Sequence, residues 1–313
     1  MTPATPVASS CPCYPRDSVA GPRTCRPHRS ATPPGAERPP VPPVTTSQRS
    51  RRTITTHDHT YRQEDRVSQR YRIRWTKEGR TRYISARDLT SVWERALRRA
   101  DLPIAYSEGF TPHAKVSFPD ALPVSYGSTG EYAELTFAAP ITPERDIARL
   151  SSSLPDGMDI LTYLKVPDGA PKLARMLRAT LWELIWPPVD ATELTELLHR
   201  RSDELMASDA AEVIRHRPDG DRTIDVRPAM LAIAASTHPT AGGDARTVLR
   251  AVLRNDGPTV RPTDLHAALT RGDIAEPALN RRVAQGEHVP EGLREALSGT
   301  VDPLVLDVDA EAA

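Results

Sequence analysis

The sequence predicts an α+β fold in which the order βαββαβ occurs twice behind a polar N-terminal segment. Residues 1–67 are rich in Pro, Arg, Ser and Thr and show no apolar period of 2 or 3.6. Such a segment cannot bury enough apolar surface to offset the entropy of ordering, so we predict a disordered tail. From residue 68 onward, stretches with the strand period and with the helix period follow one another. A weaker version of the same succession follows residue 170.

The first predicted strand begins near Ser68 and alternates between two kinds of side chain. Its apolar positions are Tyr71, Ile73 and Trp75, and the positions between them are Arg70, Arg72 and Arg74. This alternation places the two sets on opposite faces of the strand. The sequence Lys-Glu-Gly-Arg at residues 77–80 predicts a turn.

The first predicted helix opens at Ser85, with Asp88 three residues later, a spacing that resembles a capping box. Its apolar residues recur at i, i+3, i+4, i+7, i+8 and i+11: Leu89, Val92, Trp93, Ala96, Leu97 and Ala100. This is the helical period, so we expect one stripe of the helix to face a core. Leu102-Pro103 ends the helix.

Four further elements complete the first unit. Strands are predicted at residues 115–118 and 132–137, a helix at 143–154 and a last strand at 158–166. The helix carries acidic residues in its first turn, which suits the helix dipole.

The second unit is predicted from a strand at residues 177–185, a helix at 190–205 and three later elements. These are a hairpin of 212–217 with 223–226, a strand at 246–254 and a helix at 262–269. The hairpin turn contains Asp219-Gly220, a strong turn signal.

We therefore predict two tandem ferredoxin-like, split-βαβ domains. The first covers residues 68–170 and the second 171–285. The remaining residues, 286–313, are predicted to be an acidic C-terminal tail, which we expect to fray from residue 301.

The charge of the chain is unevenly distributed, although 41 basic residues balance 41 acidic ones overall. Residues 1–70 hold eleven arginines against five acids, a net charge near +6, and the rest of the chain is near −6. This asymmetry indicates a separate basic arm. The acidic remainder argues against general, nonspecific binding of nucleic acid.

The three cysteines, Cys11, Cys13 and Cys25, lie in the tail. An odd, clustered set does not form a disulfide framework, and we interpret it as three free thiols in a reducing cytoplasm. No run of about eighteen apolar residues exists to span a membrane, and no secretory apolar region follows Met1. We predict a cytoplasmic protein without a membrane partner.

Basic residues are dense around the first turn and helix. The residues that we predict to bind an anion there are Lys77, Arg80, Arg82, Arg95, Arg98, Arg99 and Lys115. Helix phase makes Arg87, Arg95 and Arg98 neighbours on the outer side. Guanidinium groups bind phosphate bidentately, so one interpretation is a surface for a phosphate-rich partner. The alternative is a solvated helix face whose charge is partly offset by Glu94 and Asp101.

The loop at residues 107–113 is the second candidate for binding. Gly109 permits unusual backbone angles and Pro112 stiffens the exit. Tyr106, Phe110 and His113 could stack on bases, as aromatic residues do in readers of single-stranded RNA. The alternative is a packed loop with Phe110 in the core.

No catalytic residue is assigned from the sequence, and no metal or cofactor is predicted. A hydrolytic role could be built from His113 with Ser117 or from Tyr106 with Lys115. However, the sequence contains no Gly-x-Ser-x-Gly elbow, no Gly-rich phosphate loop and no HExxH. We interpret Asp225-x-Arg227 as a structural pair.

The segment RYISARDLTSVWERALRRADLPIAYSEGFTPHAKVSF resembles the radical SAM-linked protein family, also called the DUF2344 family. The resemblance continues through GSTGEYAEL, EVIRHRPDGDRTIDVRP and VRPTDLHAAL and covers about residues 68–285. Because it begins there, Val67 is a candidate translation start. In this family the domain occurs alone or fused to a radical SAM enzyme. The resemblance therefore implies a relation with such an enzyme or with RNA metabolism, and it supplies no catalytic residue.

The chain departs from the family at one position. The family usually has His after the Ser of the ISARDL segment, where this chain has Ala86. The chain also lacks the CxxxCxxC motif of a radical SAM cluster, so it is not itself that enzyme.

Three functions remain open from the sequence. The first is an RNA-binding or RNA-processing accessory protein, and the second is a protein–protein adaptor for a radical SAM enzyme acting in trans. The third is a Cas6-like RNA endonuclease, against which Ala86 and the absence of a Gly-rich C-terminal loop argue. Because no catalytic motif is recognised, we expect a binding protein rather than an enzyme.

Overall fold

The computed structural model describes residues 68–120, 122–240 and 242–306. These residues form four α-helices, a ten-stranded sheet with parallel and antiparallel pairs, and a separate two-stranded hairpin. The predicted α+β class is confirmed. The predicted disordered tail at residues 1–67, with its three cysteines, lies outside the described residues, as do residues 307–313.

The first half follows the predicted order βαββαβ. Its elements are β1 (Gln69–Lys77), α1 (Ala86–Arg99), β2 (Val116–Ser117), β3 (Gly127–Phe137), α2 (Pro143–Ser151) and β4 (Ile160–Lys165). β1 lies between β4 and β3 and pairs antiparallel with both, and β2 pairs antiparallel with β3. β3 begins at Gly127, earlier than its predicted start at 132, and β2 is shorter than predicted.

The core of the first half forms where α1 packs on β1. All six residues of the predicted apolar stripe of α1 are buried, as are Tyr71, Ile73 and Trp75 of β1. The rings of Trp75 and Trp93 meet edge to face, with centroids 5.3 Å apart. The predicted N-cap is also present, because the Ser85 hydroxyl accepts from the backbone N–H of Asp88 at 3.2 Å.

The arginine face of β1 is not a solvent face. Arg72 is buried and donates to Glu134 at 2.9 Å, and Arg74 donates to the Val283 carbonyl at 2.9 Å. Arg72 and Arg74 of β1 therefore lie in ion pairs and backbone contacts and not in solvent. This satisfies the charges that the sequence places on the second face.

The second half repeats the arrangement with an inserted hairpin. Its elements are β5 (Ala179–Ile185), α3 (Ala191–Ala207), β6 (Glu212–Arg215), β7 (Arg222–Asp225), β8 (Met230–Pro239), β9 (Ala245–Arg254), α4 (Pro262–Thr270) and β10 (Leu279–Val289). The strand order is β10-β5-β9-β8, and all three pairings are antiparallel. β6 and β7 pair only with each other among the described strands.

Two strands of the second half, β8 and β10, are absent from the sequence prediction. β8 occupies the sheet position beside β9, whereas the predicted 212–226 hairpin lies outside the main sheet. β8 is rich in alanine and mostly half-buried, so it has weak alternation. β10 carries Arg282 and Gln285, which are buried, and hydrophobic period alone does not identify such a strand.

Residues 286–306 belong to the sheet, which corrects the predicted acidic tail beginning at 286. β10 continues to Val289 and is followed by β11 (Gly292–Glu295) and β12 (Val301–Pro303). Leu293 is fully buried, and the buried Glu295 carboxylate accepts from the Tyr132 hydroxyl at 2.7 Å. Val301 and its neighbours pair with β11 instead of fraying, because this polar contact and the Leu293 side chain fix the segment.

The two halves join where β3 runs parallel to β10, with Arg281 opposite Gly127 and Arg282 opposite Ser128. Gly130 is needed at this junction, because an added Cβ would lie 2.7 Å from the Ala284 Cα. The backbones therefore approach more closely than any side chain allows.

Candidate nucleic-acid interface

The outer side of α1 presents the first part of the candidate interface. Packing of the apolar stripe leaves Arg95, Arg98 and Arg99 exposed near the C-terminal end. Arg99 donates to the Ser153 carbonyl. No described residue forms an ion pair with Arg95 or Arg98, so both charges are available to a ligand.

The loop at residues 107–113 is closed by its own backbone. The Ser107 N–H donates to the His113 carbonyl at 2.8 Å, and the Ser107 hydroxyl accepts from the His113 N–H at 3.0 Å. Gly109 has a φ of +138°, which only glycine adopts without strain. The sequence therefore builds a defined loop that projects from the sheet edge.

The loop exposes its aromatic residues. Phe110 is fully exposed at the tip, and Tyr106 at the base is 48% exposed. Of the two alternatives for Phe110, the structure has the exposed side chain and not the core one. Single exposed apolar side chains are common on protein surfaces, so this exposure makes the ring accessible without by itself requiring a partner.

One contact brings the loop to α1. The His113 Nδ1 lies 3.5 Å from the Glu94 Oε1, and Glu94 is one turn from Arg98 on the same side of the helix. Lys115 is exposed and lies two residues beyond His113, in the extended chain that leads into β2. Because side chains two residues apart point the same way in an extended chain, Lys115 and His113 lie on one side of it. We call the set of Arg95, Arg98, Tyr106, Phe110, His113 and Lys115 the loop–helix surface.

Arg80 and Arg82 do not belong to this surface. They lie in a short 3₁₀ turn, Gly79–Tyr83, before the N-terminal end of α1. A helix of 14 residues is about 21 Å long, so this turn and Arg98 are at opposite ends. Arg80 is exposed, whereas Arg82 is half-buried and lies over the Tyr83 ring, 5.6 Å from its centroid.

Lys77 lies inside the molecule and not on the predicted outer surface. It is 2% exposed at the end of β1, beside a cavity of about 40 Å³ that Ala86 and Glu131 also line. Burial lowers the pKa of the Lys77 ammonium, the Glu131 carboxylate acts in the opposite direction, and Arg282 lowers it further. A macromolecular ligand on the outer surface of α1 does not reach this group.

Arg282 is a buried cation that the sequence reasoning missed. Its guanidinium donates to Glu131 at 3.0 Å and to Asp120 at 2.7 Å, and it lies over the Trp182 ring, 5.1 Å from its centroid. It thereby ties β10 to the first half. The sequence feature that could have drawn attention to this cation is the pair of adjacent arginines, Arg281 and Arg282, in a segment with few turn residues.

The predicted pairing of the Asp225 and Arg227 side chains is not formed, and each side chain instead contacts the backbone. The Asp225 carboxylate accepts from the Ala211 N–H at 2.8 Å, and Arg227 donates to the carbonyls of Met206 and Ser208. Together they fix the connection between α3 and the hairpin.

Within residues 68–306 as described, no group of three or more His, Cys, Asp and Glu side chains could hold a metal ion. The four helices of the described part are too short or too polar to cross a membrane.

The family described as "Uncharacterized protein conserved in bacteria (DUF2344)" matches residues 70–262, more than half of the chain. The protein therefore belongs to the DUF2344 family. No curated protein matches the chain.

Three solved structures are similar to the chain at low identity. The first is "Crystal Structure of a Cbf5-Nop10-Gar1 Complex", at 12% identity and a TM-score of 0.33, over 69% of this chain and 48% of that one. This chain thus covers about half of that structure's length.

The second is an unknown protein from Galdieria sulphuraria, at 13% identity and a TM-score of 0.20, over 65% of this chain and 91% of that one. The third is Cas6 in a substrate mimic complex, at 16% identity and a TM-score of 0.17, over 69% and 98%. At these TM-scores the similarities carry no argument about this chain.

Proposed function

We propose that the protein is a cytoplasmic RNA-binding accessory protein that holds single-stranded RNA on the loop–helix surface. The observation that supports this most strongly is the fully exposed Phe110 at the tip of a closed loop, whose His113 contacts the helix that carries the exposed Arg95 and Arg98. An exposed ring and nearby cations are the two components that single-strand readers combine.

The chemistry of the surface favours single strands over a duplex. A ring at a loop tip can stack on an unpaired base, whereas the bases of a duplex are already stacked on each other. Arg95, Arg98 and Lys115 would contact the phosphates on either side of that base.

The charge contribution is tested with a triple variant, Arg95→Ala, Arg98→Ala and Lys115→Ala. We expect weaker binding of a fluorescently labelled single-stranded RNA, with a log–log salt slope reduced by about 0.7 for each phosphate that is no longer neutralised. The matched control removes three exposed arginines elsewhere, Arg200, Arg222 and Arg294, and should leave affinity nearly unchanged. Equal affinity of the folded triple variant and the native protein would reject the surface.

The stacking contribution is tested with Phe110→Ala. Loss of the ring on which one base stacks should weaken RNA binding by about 1–3 kcal/mol. The salt slope should stay the same, because no charge is removed. Phe110→Trp is the control and should retain binding, since it preserves a stacking ring. Weakening of both variants to the same degree would contradict stacking.

The same assays decide between the proposal and its two rivals. Absence of RNA binding by the native protein, with recovery of a radical SAM enzyme in a crosslinking pulldown, would favour the adaptor. Cleavage of the bound RNA would favour the Cas6-like endonuclease.

We also propose that residues 68–170 and the chain from 171 through β10 are two ferredoxin-like units. The repeated element order and the matching antiparallel strand orders support this. Each half also has its own large cluster of buried apolar residues, one around Trp93 and one around Leu249.

A further inference from the structure

A polar cleft of about 460 Å³ lies where the two halves meet and is separate from the loop–helix surface. It opens between the segment that leads into β5, the end of β9 and the middle of β10. A volume of this size accommodates a small molecule of nucleotide size. We call it the junction cleft.

Three arginines line the junction cleft: Arg175, Arg178 and Arg254. All three are exposed. Arg178 lies 3.7 Å from the Glu287 carboxylate and Arg254 3.6 Å from that of Asp256. These distances exceed those of good hydrogen bonds, and both acids are themselves exposed, so the pairs are weak. No described residue pairs with Arg175.

The carboxylates at the cleft do not cancel this charge. Asp120 also lines the cleft, but it is already bound by Arg282 at 2.7 Å. Asp256 is the remaining lining acid, opposite three guanidinium groups. The cleft therefore has an excess of positive charge and suits a ligand that carries phosphate.

The inner wall of the cleft holds two side-chain amides in fixed positions. Gln285 is 1% exposed, and the Asn255 amide donates to its side-chain oxygen at 3.3 Å and to the Leu177 carbonyl at 2.8 Å. The Thr180 hydroxyl in turn donates to the Asn255 side-chain oxygen at 2.9 Å. These bonds engage the N–H groups of the Asn255 amide and the side-chain oxygens of Asn255 and Gln285 within the protein, so the inner wall is a fixed polar surface.

We propose that the junction cleft binds a phosphorylated ligand of nucleotide size, with its phosphate held by Arg175, Arg178 and Arg254. The ligand is either a free nucleotide or the phosphorylated end of an RNA strand, because both present the same group. The proposal does not depend on RNA binding by the loop–helix surface.

The test is isothermal titration calorimetry of the full chain with AMP, GMP, CMP and UMP, each compared with its nucleoside and with inorganic phosphate. We expect saturable binding of at least one monophosphate, tighter than binding of its nucleoside or of phosphate alone. The double variant Arg175→Ala, Arg254→Ala should bind it roughly tenfold to a hundredfold more weakly, because it loses charge-assisted hydrogen bonds. The double variant Arg200→Ala, Arg294→Ala is the matched control and should bind normally.

A second arm separates the two sources of the phosphate, using one RNA decamer with and without a 5′-phosphate. Tighter binding of the phosphorylated decamer, abolished in the Arg175 and Arg254 variant, supports a strand end. Equal binding of the two decamers, together with binding of a free monophosphate, supports a free nucleotide.

The proposal is overturned if no monophosphate binds and the 5′-phosphate has no effect, or if the double variant binds like the native protein. Thermal unfolding of each variant confirms that these exposed substitutions leave the fold intact. Failure of the RNA-binding proposal would give a different result. The Arg95, Arg98 and Lys115 triple variant would then bind the decamer as tightly as the native protein does.

Discussion

Trp93 is the residue on which the core of the first half most depends. It is completely buried, and its ring meets both Trp75 and Phe118, with centroids 5.3 and 6.0 Å away. Trp93→Ala should lower the free energy of unfolding by roughly 3–5 kcal/mol, because the backbone cannot collapse into the cavity. Urea denaturation followed by circular dichroism measures this.

Trp93→Phe is the matched control for that prediction. It keeps a ring in the site and removes an indole N–H that has no hydrogen-bond partner among the described residues. We expect a clearly smaller decrease in stability than for alanine. Similar decreases for the two variants would show that volume at this site is not what stabilises the core.

Glu183 is the second residue whose environment leads to a prediction. It is 1% exposed and accepts from Arg250 at 2.5 Å and from Arg281 at 2.5 Å and 2.7 Å. Glu183→Gln should lower the free energy of unfolding by about 3–5 kcal/mol at neutral pH, because it leaves buried guanidinium charge uncompensated. Glu78→Gln, whose carboxylate lies 3.8 Å from Arg281 and is 42% exposed, is the control and should change stability little.

The effect of Glu183 should depend on pH. Burial opposes its ionisation, yet Arg281 and Arg250 together hold the pKa of Glu183 below its ordinary value of 4.5. A carboxylate with a lowered folded pKa stabilises the protein above its unfolded pKa and loses that contribution as pH falls. The difference between native protein and Glu183→Gln should therefore shrink below about pH 4.5. A constant difference well below that pH would show that the ionised form is not what stabilises the site.

At the scale of elements, α1 is the helix that its own sequence specifies best. The Ser85 hydroxyl accepts from the Asp88 N–H, and Asp88 lies in the first turn. Ser85→Ala should destabilise the protein by about 1 kcal/mol, within the roughly 0.5–2 kcal/mol range for such caps. Thermal unfolding measures it.

Ser91→Ala is the control within the same helix. Ser91 is exposed in the interior of α1, where alanine has the higher helix propensity, so this change should be neutral or slightly stabilising. Equal destabilisation by both substitutions would mean that the cap does not stabilise α1.

Helices and strands can be predicted from the sequence where the local pattern of apolar residues is strong. They are missed where the buried residues are polar. α1 and β5 follow from apolar period: the apolar stripe of α1 is buried as expected, whereas in β5 the polar Thr180 and Glu183 are buried along with the apolar residues. β10 could not be found this way, because Arg282 and Gln285 occupy buried positions that pattern assigns to apolar residues. The same holds for the site: the loop at residues 107–113 is readable from the sequence, but the exposure of Phe110 is not, and the junction cleft needs residues from distant parts of the chain.

At the scale of the whole molecule, the parallel pairing of β3 with β10 makes one sheet of the two halves. Gly130 allows this, and Gly130→Ala should lower the free energy of unfolding by about 1–3 kcal/mol, because backbone atoms of Val283 and Ala284 lie within 2.8 Å of the new Cβ. Chemical denaturation monitored by tryptophan fluorescence measures the decrease.

Gly242→Ala is the control for this prediction. The nearest atom to an added Cβ there is the Thr240 hydroxyl oxygen, 3.8 Å away, so the methyl group has room. If Gly130→Ala were as stable as Gly242→Ala, the close approach of β3 and β10 would not contribute to the fold as we argue.

The sequence by itself determined the α+β class, the first βαββαβ order and the amphipathic α1, because these depend on neighbours a few residues apart. Only the tertiary structure decided that Lys77 is buried, that Phe110 is exposed and that Arg175, Arg178 and Arg254 surround one cleft. The physical reason is that burial and charge pairing are set by strands distant in the chain. Glu131 and Arg282, for example, become partners only when β10 packs beside β3.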